Sequence, residues 1–280
     1  MILVKNIEIL ERYVSANRAA GRKTGFVPTM GALHAGHISL IEASKKENEL
    51  TYCSIFINPT QFNNASDLKK YPVTIEADID LLEKAGCDLL FLPSAEDMYP
   101  KDKQKEHYEL GYLETILEGK YRPGHFQGVC MIVDKLLRLV QPTRLYLGSK
   151  DYQQCMVIAE MIHRKKIPVE LRICETLREP DGLAMSSRNM RLDEQQRKQA
   201  VAIIECLKMM KHDLRPGNLS ALKKEAVYFL QDKGFKPDYA EIADAQTLEV
   251  LEEWDGSKKI VALIAAYLDE VRLIDNIILT

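Results

Sequence analysis

The sequence predicts an α/β protein: a Rossmann-like, doubly wound parallel sheet with a second, smaller α+β domain. Three observations carry this. Over the first 175 residues short apolar runs alternate with amphipathic stretches of helical period, the pattern of repeated strand–helix–strand units. The run over residues 50–57 is mostly apolar, as strands covered on both faces are. From about residue 176 the order changes to helices followed by three strands, which reads as a smaller α+β domain over residues 176–280.

Residues 6–19 predict a helix, with Ile7, Leu10 and Val14 on one face and Glu8, Glu11, Arg12 and Ser15 on the other. Residues 24–27 end a short strand, and residues 38–47 form an amphipathic helix with Ile38, Leu40, Ile41 and Ala43 inward. Between them lies a loop with two small hinges, Gly31 and Gly36, and two imidazoles, His34 and His37. Their spacing can place both rings on one side of the helix's first turn, where unpaired backbone N–H groups face an anion. Residues 50–57 read as a buried strand ending at Asn58-Pro59-Thr60-Gln61, and Pro59 stops it. Residues 75–85, with Ile75, Ile79 and Leu82 on one face, form the next helix, closed by Gly86. Residues 89–92 are the third strand, ended by Pro93.

Residues 99–120 are mixed and charged, an excursion over the sheet with a helical patch near 113–117. Residues 121–128 form a rigid turn carrying Arg122 and His125, and residues 129–140 an apolar helix broken by Pro142. A strand follows at 144–147; Gly148 to Gln154 then opens a helix reaching His163, and 169–173 is the sheet's last strand. In the smaller domain a Pro180-Asp181-Gly182 turn leads to Leu183 through Asn189 and a long helix over 194–210. A loop at 214–218, a helix at 219–233 and strands at 239–243, 259–266 and 271–279 complete it. No repeats, heptads or low-complexity tracts are present.

At 280 residues and 31.9 kDa the chain can bury a substantial core. Its 38 basic and 41 acidic residues, a formal charge of −3, argue against a nucleic-acid or membrane partner. Six scattered cysteines without a CxxC pair read as core hydrophobes in a reducing compartment. The N-terminus shows no signal-peptide pattern and no run reaches transmembrane length, so a soluble, cytoplasmic protein is expected.

The polar groups at predicted strand ends are His34, His37, Asn58, Gln61, Lys150, Asp151, Gln154, Ser186, Ser187 and Arg188. The set is poor in metal ligands and shows no Ser/His/Asp arrangement. Amides orient a hydroxylated substrate, and Lys and Arg neutralise phosphate charge in phosphoryl or nucleotidyl transfer. That combination suits nucleotide-dependent activation of a small polar acid. Neither GxxxxGK[ST] nor GxGxxG after the first strand is present, so the paired histidines supply the candidate nucleotide site. Each group also has a plainer reading: Lys150 and Arg188 as solvated charges, Ser186 and Ser187 as helix caps, Asn58 as a turn former.

Five stretches together resemble one family. They are Pro28 through His37, Ile55-Phe56-Ile57-Asn58-Pro59-Thr60-Gln61-Phe62, Arg122-Pro123-Gly124-His125-Phe126, Lys150-Asp151-Tyr152-Gln153-Gln154, and Asp181 through Asn189. In order and spacing, over essentially the whole chain, they resemble the pantothenate synthetases (pantoate–β-alanine ligases) of the HxGH nucleotidyltransferase-like superfamily. The resemblance implies ATP-dependent condensation of (R)-pantoate with β-alanine through a pantoyl adenylate, giving pantothenate, AMP and diphosphate in coenzyme A biosynthesis. It also implies Mg2+ and a homodimer, with no protein nucleophile.

Carried over by motif, His34 and His37 would face the ATP phosphates, and Gln61 and Gln154 would hold pantoate. Met30 would lie near both substrates and Asn58 near the phosphates and metal. Lys150, Ser186, Ser187 and Arg188 would grip the phosphates, with Asp151 at the ribose and Gly148 and Met185 also at the nucleotide. Tyr71 would approach the β-alanine and phosphate end, with Arg122 a nearby basic group; the metal ligands themselves are not indicated. Two positions depart from the family pattern: Val73 stands where Tyr-Pro-Arg is common, and Ser149 where Glu or Gln precedes Lys-Asp. On the residues alone two alternatives stay open. A nucleotidyltransferase acting on a phosphorylated acceptor would need a second phosphate cradle, and a non-catalytic nucleotide-binding regulator would have lost part of the polar set.

Overall fold

The computed structural model describes residues 1–100 and 106–280. The chain divides into two compact units, Met1–Ser149 with Val157–Glu175, and Lys150–Met156 with Thr176–Thr280. Lys150, Asp151 and Gln154 therefore group with the second unit although they precede residue 176.

In the first unit, β1 (Ile2–Val4), β2 (Thr24–Thr29), β3 (Leu50–Ile55), β4 (Leu89–Phe91), β5 (Arg144–Gly148) and β6 (Glu170–Cys174) form one sheet, ordered β1-β4-β3-β2-β5-β6. Every pairing is parallel. The connecting helices are α1 (Ile7–Ala19), α2 (Ala35–Glu47), α3 (Ala65–Lys69), α4 (Ile75–Lys84), α5 (Ala95–Met98), α6 (Leu117–Tyr121), α7 (His125–Val140) and α8 (Tyr152–Lys165), whose residues up to Met156 group with the second unit. Side chains alternate across the sheet. Val27, Cys53, Ile55 and Leu90 point to the face where Leu40 and Ile41 of α2 and Leu82 of α4 pack. The other face takes α1, whose Tyr13 ring meets the Tyr52 ring edge-on at 5.9 Å, and α7 packs on α1. That is a doubly wound sheet.

Strand order places the topological switch between β2 and β5, where ligands of such folds bind beyond the carboxyl ends. Pro28 shows how the crevice opens. Thr24 O accepts from Thr143 N on the β5 side, whereas Thr29 O accepts from Phe56 N on the β3 side. By alternation Pro28 faces β5, and the β2–β5 register stops at Phe26. The missing N–H of a central-strand proline therefore falls where the ladder has already ended. At the other end of β2, a Cβ on Gly25 would lie 2.0 Å from Ser44 Oγ and 2.7 Å from Asn48 Nδ2, so only glycine lets α2 lie this close.

Several boundaries differ from the sequence expectation. β1 was not expected; it is a three-residue edge strand, too short to show a period. α2 begins at Ala35 rather than 38, because His34 caps it. α7 begins at His125 rather than 129, entered through Gly124 at φ 78°. The patch near 113–117 resolves into a 3-10 turn at Gly111–Glu114 followed by α6. Part of the expected 99–120 excursion, residues 101–105, lies outside the described residues.

The second unit holds α9 (Glu194–Gln199), α10 (Ala202–Asp213), α11 (Ser220–Asp232) and strands β7 (Gly217–Asn218), β8 (Lys236–Asp244), β9 (Glu253–Trp254), β10 (Ile260–Leu268) and β11 (Val271–Ile278). β11-β10-β8 form an antiparallel sheet and β7 pairs with β9 in a separate ribbon. The long helix expected over 194–210 is two helices. At their joint Ile203 N reaches Ala200 O, a tighter turn than the α-helical ladder. Ile203, Ile204 and Leu207 of α10 and Leu222, Ala226 and Leu230 of α11 pack on Ile242, Ile260 and Ile264 as the core. Among the described residues no helix is long and apolar enough to cross a membrane.

Candidate active site

In the first unit the candidate residues gather on the loops that leave β2 and β3. Beyond Thr29 the chain turns through Gly31 (φ 84°) and Ala32 (φ 49°) before His34 caps α2. Left-handed backbone at Ala32 costs about 1–2 kcal/mol, so something must hold the loop. That group is Asp78 of α4, which is buried. Its Oδ2 accepts from Ala32 N at 2.9 Å and its Oδ1 from Leu33 N at 2.8 Å. Thr74 Oγ1 donates to the same Oδ1 at 3.0 Å.

His34 and His37 cap the helix reciprocally. His34 Nδ1 accepts from Gly36 N at 3.2 Å, and His34 N donates to His37 Nδ1 at 3.3 Å. Both Nδ1 atoms are acceptors, so both neutral rings carry their proton on Nε2. The rings lie 4.1 Å apart between centroids, tilted by 42°. A helix start with two Nε2–H donors side by side suits an approaching polyanion.

The loop after β3 is a second built element. Asn58 is buried; its Nδ2 donates to Gln61 Oε1 and to Gly128 O, each at 3.0 Å. Its Oδ1 accepts from Tyr99 OH at 2.7 Å and from Thr60 Oγ1 at 2.9 Å. With both sides of its amide engaged inside the protein, Asn58 orients Gln61, whose Nε2 lies 2.9 Å from Met30 Sδ. That contact joins the loops of β2 and β3. Burial pushes the Tyr99 phenol up, which keeps it a neutral donor to Asn58. Gly128 admits the turn: a Cβ there would sit 2.4 Å from Thr60 O and 2.8 Å from Gln61 N. His125 Nδ1 donates to Gln61 O at 2.8 Å, and Arg122 lies 3.2 Å from its Nε2. Tyr71 is buried edge-on against Phe62, centroids 5.8 Å apart.

In the second unit Lys150 lies 3.7 Å from Asp151 Oδ1, and its carbonyl accepts from Asn276 Nδ2 at 2.8 Å. Gln154 stands in the first turn of α8. Ser186 caps the 3-10 turn Ser187–Arg191, its Oγ accepting from Arg188 N at 3.3 Å, and Ser187 is buried. Met185 N bonds Leu177 O, and Arg178 bridges to Ala184 across the same loop. Arg178 clasps Asp275 bidentately at 2.6 and 3.0 Å. Adjacent residues of β11 thus hold both the Lys150 turn and the Ser186 loop. Gly148, the last residue of β5, belongs to the first unit. Among the described residues no group of three or more His, Cys, Asp or Glu is placed to hold a metal ion.

These five stretches can be set against known proteins. The family model described as Pantoate-beta-alanine ligase matches residues 2–278. The chain belongs to the pantoate–β-alanine ligase family. A pantothenate synthetase of Bacteroides thetaiotaomicron is 44% identical over 278 residues, 99% of this chain and 98% of its own length. A pantothenate synthetase structure from Thermus thermophilus superposes with a TM-score of 0.90 at 38% identity, covering 100% of this chain and 99% of that one. A pantoate-beta-alanine ligase from Francisella tularensis, complexed with beta-gamma ATP and beta-alanine, gives 0.83 at 38% identity, covering 100% and 98%. As a member of the pantoate–β-alanine ligase family the chain is an ATP-binding enzyme of pantothenate biosynthesis.

Sequence reasoning passed over Asp78, Tyr99, Arg178, Asp275 and Asn276. Asp78 did leave a trace: it sits at i+3 from Ile75 and one residue before Ile79, inside the apolar stripe of α4.

All six cysteines are free, five of them buried and Cys174 partly so. Burial pushes the thiols of Cys87, Cys130 and Cys206 up to about 12 each, and those of Cys53 and Cys174 upward as well. Thiolate, the reactive form, is therefore scarce. Alkylation of the folded enzyme with iodoacetamide at neutral pH is expected to leave activity within about twofold of the untreated protein. Rapid inactivation prevented by ATP would place a cysteine at the nucleotide.

Proposed function

We propose that this chain joins (R)-pantoate to β-alanine in two steps. In the first, a pantoate carboxylate oxygen attacks the α-phosphorus of ATP; the bond to the bridging oxygen breaks and diphosphate leaves with the electron pair. In the second, the neutral amine of β-alanine attacks the acyl carbon of pantoyl adenylate. The acyl–oxygen bond breaks, AMP departs, and the amine sheds a proton to solvent.

The observation that carries the proposal is the histidine pair at the start of α2. With both Nδ1 atoms turned to backbone N–H groups, the Nε2–H edges would donate to triphosphate oxygens as charge moves onto diphosphate. Lys150, Arg188, Ser186 and Ser187, with backbone near Gly148 and Met185, would share that charge, and Asp151 would meet the ribose. Gln61, held by Asn58 and Met30, would bind pantoate together with Gln154. Tyr71 would stand toward the β-alanine and phosphate end, with Arg122 a basic group nearby. The Francisella enzyme's complex with beta-gamma ATP and beta-alanine supports this pair of substrates. Mg2+ would enter with the nucleotide, held mainly by phosphate oxygens and water, as suits an ion that keeps its hydration and a chain without a carboxylate cage among its described residues. The assembly proposed is a homodimer, and the compartment a reducing cytoplasm, in keeping with six free cysteines.

The expected products are AMP and diphosphate in equal amounts, resolved by anion-exchange chromatography. Pantoate alone, without β-alanine, should drive exchange of labelled diphosphate into ATP. Stoichiometric ADP, or exchange that ignores pantoate, would overturn the two-step reading.

A further inference from the structure

We propose that Asp78 is a positioning residue for both halves of this reaction, tying the histidine loop to the segment that carries Tyr71. The inference rests on the two-step reading above and assigns a task to a residue that touches no proposed substrate group.

Its carboxylate is buried and is aimed at the loop between β2 and α2. Each oxygen takes one backbone N–H, from Ala32 at 2.9 Å and from Leu33 at 2.8 Å, the two residues immediately before His34. Two parallel N–H donors on one carboxylate fix a plane as well as a distance. The backbone so held is the unfavourable one, with Gly31 and Ala32 both at positive φ. A Cβ on Gly31, itself at φ 84°, would come 3.0 Å from Ile55 Cγ2 and 3.1 Å from Asp78 Oδ2, so a side chain there would crowd the carboxylate. The direction in which His34 leaves the loop, and hence the aim of both imidazoles, follows from this clamp.

The third bond makes Asp78 more than a loop anchor. Thr74 Oγ1 donates to Oδ1, and Thr74 lies three residues beyond Tyr71, at the start of α4. The histidine loop and the N-cap residue of α4 therefore share one buried acceptor. A purely structural carboxylate would lower stability when lost and change both chemical steps by a common factor. A positioning carboxylate separates them according to which bond is removed.

The test uses the full chain and single-turnover rates for the two steps: pantoyl adenylate formation, and its consumption by β-alanine. Asp78→Asn keeps the shape but can accept with only one oxygen, placing an amide N–H2 against a backbone donor. Adenylate formation should fall by at least thirtyfold. Thr74→Val leaves the Ala32 and Leu33 bonds in place. It should leave adenylate formation within threefold of the parent while slowing the β-alanine step or raising the β-alanine KM by at least fivefold. Far-UV circular dichroism and thermal melting screen each variant for folding, and Thr74→Val keeps the question answerable if Asp78→Asn does not fold. Equal loss in both steps for Thr74→Val, or parental adenylate formation by a folded Asp78→Asn, overturns the assignment. Failure of the unmodified protein to form pantoyl adenylate would instead overturn the reading on which it rests.

Discussion

His34→Ala is expected to lower the rate of adenylate formation by about two to three orders of magnitude, the effect of deleting one well-placed donor to a developing oxyanion. Under the proposed reading the residue has two tasks, and the substitution removes both. As the cap of α2 it satisfies Gly36 N, and losing a good cap costs about 1 kcal/mol of stability. As a donor it would present Nε2–H to the phosphates. His34→Asn separates the tasks, because asparagine is among the best caps and its Oδ1 can take the same N–H. That variant should melt close to the parent yet stay as slow as His34→Ala. The KM for ATP should rise less than kcat falls in both variants, since the interaction strengthens as the diphosphate departs. If His34→Asn recovered the parental rate, the imidazole would be a cap and nothing more.

That dual role explains why the motif could be read from sequence while its geometry could not. Two histidines three apart after a strand announce a helix start, and the rings do lie side by side. Histidine is not an ordinary capping residue, so the periodic pattern alone placed the helix start three residues late, at Ile38 instead of Ala35. The sheet was legible because β4 is a continuous apolar run and β3 a mostly apolar one, each followed by a proline, while β2 shows Phe26-Val27 ahead of a glycine-bearing loop. β1 was not, since three residues at an edge need only one buried side chain, Val4.

The groups that support the site were hidden for a different reason. Asp78, Asp275 and Asn276 satisfy backbone and side-chain partners far away in sequence, 46 positions from Ala32 in the case of Asp78. Local pattern carries no information about such a partner. Their signal is negative: a polar residue inside an apolar stripe must have found hydrogen bonds, or the element would not form. Lys150 shows the converse. Its motif singled it out, and only the fold reveals that Asn276 fixes the turn on which it stands.

Gln61→Ala and Lys150→Ala are expected to fail in different ways. Gln61 is held by Asn58 through its Oε1 and by Met30 Sδ through its Nε2, so the amide is oriented before any substrate arrives. Its loss would leave pantoate's hydroxyl or carboxylate unpaired, at a cost of about 1–3 kcal/mol. It would also release one Asn58 N–H. The deficit should appear as a pantoate KM raised about tenfold or more, while ATP still saturates normally. Lys150 stands on a turn pinned through its own carbonyl, with its ammonium 3.7 Å from Asp151, a distance that leaves the ion pair weak. Substituting it should leave the turn in place and leave pantoate binding nearly unchanged. Because its charge would matter most when diphosphate is leaving, adenylate formation should slow by about a hundredfold or more. If both were ordinary surface groups, each substitution would stay within about 0.5 kcal/mol of parental stability with kinetics unchanged. Single-turnover measurement of pantoyl adenylate, titrated separately in pantoate and in ATP, separates these outcomes. Normal pantoate saturation in Gln61→Ala would remove the amide from the pantoate pocket, and a parental adenylation rate in Lys150→Ala would remove the ammonium from the phosphates.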